Sequence, residues 1–236
     1  MRRALLPALL TACAVLTGCF GPDPRHQAAT KALIDASPQQ ARTIGAPSAW
    51  TMLAPSAGQW IRTLQTTTDG DQAVALHQVV AAEPGRFVTR VTTQDGRRKS
   101  VMTMHLSRVP TSADDAIDAL QRMDTAENDG SPTTIDYTKG DGAMMKTMMR
   151  GHLRDTMRGF DGMEAKLAAA PKEAVTVPAG TFAGTAKVGH EFTVMGMTHR
   201  TTVWVHPAVP FGGMVKSQSE DGKYTTVLLD YGLKAP

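Results

Sequence analysis

Three chain-reversing dipeptides, Asp69-Gly70, Pro84-Gly85 and Asp95-Gly96, separate proline-free segments of strand length in the first half of this chain. Glycine readily takes the left-handed backbone of a two-residue hairpin turn, whereas parallel strands need crossovers of about a dozen residues. The spacing therefore predicts consecutive antiparallel strands over 60–67, 72–82, 86–94 and 98–107. In the last of these, Met102, Met104 and Leu106 alternate with Val101, Thr103 and His105, so one sheet face is apolar and the other is wet or half-wet.

Downstream, Ser112-Ala113-Asp114-Asp115 opens a helix in which Ile117, Leu120 and Met123 recur at three-residue spacing, with acids placed where the helix dipole favours them. It is expected to end near Glu127, before a loop and a short strand around 133–138. Pro171 closes a second helical region, and strands follow at about 174–177, 182–195, 197–206, 214–219 and 223–231. Upstream, 20–24 reads as a tether and 27–36 as a short helix stopped by Ser37-Pro38. The order of strands, helices and strands predicts an α+β domain: a curved, half-barrel-like antiparallel sheet of about eight or nine strands with one or two covering helices.

The second helical region, 141–170, is the most distinctive, because it carries Met144, Met145, Met148, Met149, Met157 and Met163 out of 14 methionines in the chain. At about 100° per residue, Met145, Met148, Met149, His152, Leu153, Phe160, Met163 and Leu167 share one arc, while Lys146, Arg150, Arg154 and Arg158 share another. Gly151, Gly159 and Gly162 each weaken a helix by about 1 kcal/mol relative to alanine, so a break near 159–162 is expected. Methionine is an adaptable filler of cores and grooves, which makes Met145, Met148, Met149, Phe160 and Met163 candidates for a ligand or partner groove. Lys146, Arg150, Arg154 and Arg158 form either a solvated face or a membrane-surface contact. Thioethers are also soft ligands for Cu(I), so Met144, Met148 and His152 are an alternative copper site.

The N-terminus fixes an expected address. Arg2 and Arg3 precede an uncharged apolar stretch that ends in Leu16-Thr17-Gly18-Cys19, the layout of a secretory signal. This ending resembles the lipobox of bacterial lipoproteins. The resemblance implies a signal peptide over 1–18, cleavage before Cys19, and diacylglycerol and acyl (palmitate-like) chains on that residue. Each buried methylene contributes about 0.8 kcal/mol to membrane binding, so two or three chains form a stable anchor. By resemblance to Gram-negative lipoproteins, Phe20 after the cysteine implies delivery to the outer membrane, facing the periplasm. The expected organisation is thus signal peptide 1–18, lipidated cysteine and tether 19–45, and a single domain over 46–236. Cys13 is lost with the signal, so the mature chain can form no internal disulfide.

In the last third, Val177-Pro178-Ala179-Gly180-Thr181-Phe182, Trp204, Val209-Pro210-Phe211-Gly212 and Met214-Val215-Lys216 resemble a C-terminal pattern of uncharacterised bacterial envelope lipoproteins. The likeness implies the half-barrel fold of periplasmic lipoprotein carriers, lined by apolar side chains and covered by helices. Read for themselves, Pro178, Gly180, Pro210 and Gly212 shape turns, and Phe182 and Trp204 supply packing area.

Several function classes are disfavoured. Of 25 basic residues, Arg2 and Arg3 belong to the signal, leaving 23 against 22 acidic ones, a balance that gives nucleic-acid binding no electrostatic support. No apolar run of about 18 residues follows the signal, which excludes a multipass membrane protein. His-Glu-x-x-His, Gly-x-Ser-x-Gly, Walker A and dinucleotide-binding patterns are absent, and a hairpin could bring His190, Glu191 and His199 towards a metal. The expected function is a non-enzymatic binding or assembly module for a lipid-like ligand or an envelope protein, with no cofactor. The alternative is a methionine-rich copper-binding lipoprotein.

Overall fold

The computed structural model describes residues 23–37, 42–157, 163–194 and 197–234. These residues form four α-helices and twelve strands. In chain order they are α1 (Pro24–Asp35), β1 (Thr43–Ile44), β2 (Trp60–Thr67), β3 (Gln72–Glu83), β4 (Arg86–Asp95), β5 (Lys99–Leu106), α2 (Ala113–Ala119), β6 (Leu120–Glu127) and β7 (Thr133–Asp136). There follow α3 (Gly140–Met157), α4 (Met163–Ala169), β8 (Lys172–Val177), β9 (Gly180–Val194), β10 (Met197–Val205), a one-turn 3-10 helix (Phe211–Gly213), β11 (Met214–Ser219) and β12 (Tyr224–Gly232).

All twelve strands join one sheet in the order β1-β9-β10-β11-β12-β2-β3-β4-β5-β6-β7, with β8 paired to β9 off that path. Among the described residues only the β1–β9 pairing is parallel. The expected meander is present as β2 to β5, hairpin after hairpin, with Ile61 opposite His77 and His77 opposite Val91. The expectation of eight or nine strands curled into a half-barrel is corrected: the strands number twelve, and they form one open sheet whose ends do not pair with each other. Both ends are short, β1 with two residues and β7 with four, which limits the unpaired backbone that a sheet edge exposes.

One of the additional strands comes from a misread period. The helix begun at Ser112 does not continue to Glu127 but ends at Ala119, where Leu120 turns to extended backbone, and 120–127 becomes β6. The three-residue recurrence of Ile117, Leu120 and Met123 fits a helix, yet β5 offers a full row of backbone partners, and Met123 lands opposite Met104. At the other end of the chain, Asp23 caps α1 by accepting from the Arg25 amide at 2.8 Å, and Pro24 occupies the first helical position, where its missing N–H costs nothing. Part of the expected tether is therefore a helix, and it packs on β3 and β4.

Besides a small cluster of Met52, Leu167, Ala186 and Val205, two larger apolar clusters occupy the sheet. One gathers Val79, Phe87, Val91, Met104, Leu106, Ala119, Leu120 and Tyr137 around the meander, α2 and the segment after β7. The other gathers Ile61, Val175, Val177, Phe182, Trp204, Val209, Val215 and Leu228 from β2 and the C-terminal strands. Phe182 and Trp204 thus take the packing role their size suggests, and Phe211 packs against both clusters. At the tip between β8 and β9, Gly180 has φ +134 and a side chain there would stand 2.5 Å from the Arg42 carbonyl oxygen, so the turn requires glycine.

Candidate functional site

The methionine-rich helix acquires its orientation from α2. Ser112 accepts from the Asp115 amide at 3.1 Å and closes the N-terminus of α2, while the C-terminal carbonyls of this seven-residue helix need donors. Lys146, on α3, supplies them. Its Nζ donates to the carbonyl oxygens of Asp118 at 2.9 Å and Leu120 at 2.7 Å. One turn on, Arg150 donates to the Asp118 carboxylate at 2.5 Å. Burial holds the Lys146 ammonium below its ordinary pKa range despite the attraction of Asp118, and the charges of Arg150 and Arg108 act in the same direction. These two members of the basic arc therefore face the protein.

The opposite side of the same turns faces solvent. Met144, Met145 and Met148 are 63%, 41% and 68% exposed. Met144 and Met148 are four residues apart and stand above one another on the helix surface. Of the other candidates, Met149, His152 and Arg154 lie in α3 and Met163 begins α4, but their side chains fall outside the described set, and Arg158, Phe160 and Cys19 lie outside the described residues. The structure thus brings Met144, Met145 and Met148 together on one surface and separates them from Lys146 and Arg150.

A second polar arrangement lies on the wet face of the meander. Register places Trp60, Gln78, Arg90, Thr103, Asp124 and Thr134 in one row across β2 to β7. Asp124 is its anchor: it accepts from Arg122 at 2.7 Å and from Thr134 at 2.7 Å, and His105 stands 3.0 Å from its other oxygen. Burial would raise the Asp124 pKa, but the bonds from Arg122, Thr134 and His105 outweigh it and hold the carboxyl below its usual range. Beside this row, Gly58, Gln59, Gln78, Val79, Val80 and Arg90 line a shallow cavity of ≈ 230 Å³. The alternation of β5 marks this face as wet and includes His105 in it, but nothing local to the sequence pairs that histidine with Asp124, 19 residues away.

Of the suggested hairpin cluster, His190 and His199 share one face of the β9–β10 pair, while Glu191 lies on the opposite face and accepts from Arg200 at 2.7 Å. Among the described residues, no group of three His, Cys, Asp or Glu side chains is placed to hold a metal ion, and no helix is long and apolar enough to cross a membrane. No family model matches the chain, and no curated protein matches it either.

Proposed function

We propose that this chain is a lipoprotein anchored through acyl chains on Cys19 to a bacterial envelope membrane, the outer membrane facing the periplasm. Its role in this reading is that of a non-enzymatic binding or assembly module for a lipid-like ligand or a partner protein. The anchor rests on the Leu16-Thr17-Gly18-Cys19 pattern. The binding role is carried by one observation: α3 presents Met144, Met145 and Met148 to solvent while its Lys146 and Arg150 are drawn onto α2. A helix that only covered the sheet would bury its apolar arc. Methionine outward, unbranched and polarizable, suits a surface that adapts to an apolar occupant.

The test uses a soluble form beginning after Cys19, incubated with envelope extract and examined by native mass spectrometry. The proposal expects an added mass, lipid or protein, that is lost when Met144, Met145 and Met148 are all replaced by serine. An unmodified mass in both forms would oppose it. A second reading, Cu(I) binding, is favoured specifically by the one-turn spacing of the exposed Met144 and Met148. Competition with a Cu(I) chelator decides it: retention of copper that Met148→Leu abolishes supports the metal, and no retention by the native sequence removes it.

A further inference from the structure

Where the two apolar clusters meet, the core holds polar atoms without partners. His77 lies between Ile61 of one cluster and Val91 of the other, directly opposite both across the strands. Its Nδ1 is closed off from solvent and has no hydrogen-bond partner. On the neighbouring strand, Thr89 is 2% exposed, lies between the core residues Phe87 and Val91 on the same face, and its Oγ1 is likewise unpartnered. A buried polar atom left unpaired costs about 1–3 kcal/mol, and two of them on one face of neighbouring strands, diagonal to each other across the His77–Val91 and Val79–Thr89 pairs, are unusual.

The same place carries backbone strain. Phe211, whose ring centroid stands 6.2 Å from that of His77, is the residue that packs against both clusters. It sits at φ 53, a left-handed conformation that is costly for a bulky side chain, and is followed by Gly212 and Gly213 at φ 77 and 79. Phe211 is itself partly exposed, so its ring borders His77 on the side of the solvent.

We propose that the seam under Phe211 is a ligand site, in which an uncharged long-chain molecule bearing a hydroxyl places that group between His77 Nδ1 and Thr89 Oγ1 and its chain along the apolar clusters. This site is distinct from the exposed methionines of α3, and the inference goes beyond the lipid-like-ligand reading by naming a second place for an apolar ligand and the chemistry it would carry there. A hydroxyl both donates and accepts, and so satisfies a neutral imidazole nitrogen in either tautomer together with a threonine oxygen. A carboxylate suits the site poorly: burial pushes the His77 pKa down to about 4, leaving no cation to offset an anion at neutral pH.

The experiment compares 1-decanol with 1-chlorodecane, which has the same chain and no hydroxyl, as competitors of a fluorescent apolar probe on the form beginning after Cys19. The site predicts that decanol binds about tenfold more tightly, and that Thr89→Val, which keeps the side-chain shape, erases most of that preference while chlorodecane binding persists. His77→Leu should do the same, and Phe211→Gly should speed exchange of both compounds by removing the cover and the strained φ. Equal affinity for the two compounds in native and Thr89→Val forms would overturn this inference and leave the lipid-like reading standing. Failure of both to bind the native form would likewise overturn it, while the methionine surface of α3 keeps its own test.

Discussion

Polar side chains turn inward at two places in this molecule, with opposite outcomes. At the α2–α3 junction, Lys146 finds two backbone carbonyls and Arg150 finds a carboxylate, so the charges are absorbed and the methionines are left outside. At the seam between the clusters, His77 Nδ1 and Thr89 Oγ1 find nothing. The contrast separates two reasons for a polar group to be buried. A satisfied one fastens elements together, and an unsatisfied one costs stability and so calls for a separate reason to be there.

The largest effect that would break this contrast is a pH response. Unfolded, His77 titrates near 6.5; folded, burial holds it near 4. Above about pH 6.5 it is neutral in both states, and as pH falls towards 4 the unfolded chain takes up a proton that the folded chain refuses. Stability contributed by this group therefore declines across that window, by about 3 kcal/mol at its lower end. Urea midpoints of the native sequence should fall more between pH 7 and pH 4 than those of His77→Leu. Equal slopes would mean that His77 has a partner in solution.

Next in size is Lys146→Met, which leaves the last carbonyls of α2 without their donor. It should cost about 2 kcal/mol in chemical denaturation. A neutral result would place Lys146 in solvent and undo the orientation of α3. Arg150→Gln should cost only about 0.5 kcal/mol, because its pair with Asp118 is partly exposed and screened, and added salt should shrink that difference further. Smallest of all, replacing Met144, Met145 and Met148 with serine should leave stability within about 0.5 kcal/mol of the native form, since side chains this exposed contribute little to the core. A loss of several kcal/mol would show that these side chains are packed.

Turn chemistry made the meander legible to within a residue or two, because Asp69-Gly70, Pro84-Gly85 and Asp95-Gly96 act locally. Residues 120–127 misled because a three-residue recurrence over so short a stretch fits helix or strand, and the deciding partner, β5, lies outside the window being read. The amphipathic pattern of α3 was equally visible, but a pattern fixes the axis dividing two faces and not which face turns inward. That choice was made by the carbonyls at the end of α2, a tertiary need with no signature within 141–170. His77 and Thr89 read as ordinary strand residues; only the absence of partners, a property of the assembled core, distinguishes them.

The central claim, that the methionine side of α3 is an outward surface with an occupant in the envelope, is tested most directly by mild peroxide oxidation of methionines followed by peptide mass spectrometry. The account predicts that Met144 and Met148 oxidise at least about tenfold faster in the isolated soluble form than core Met104, and that intact envelopes protect them severalfold. Slow oxidation in the isolated form, or identical rates in isolation and in the envelope, would contradict it.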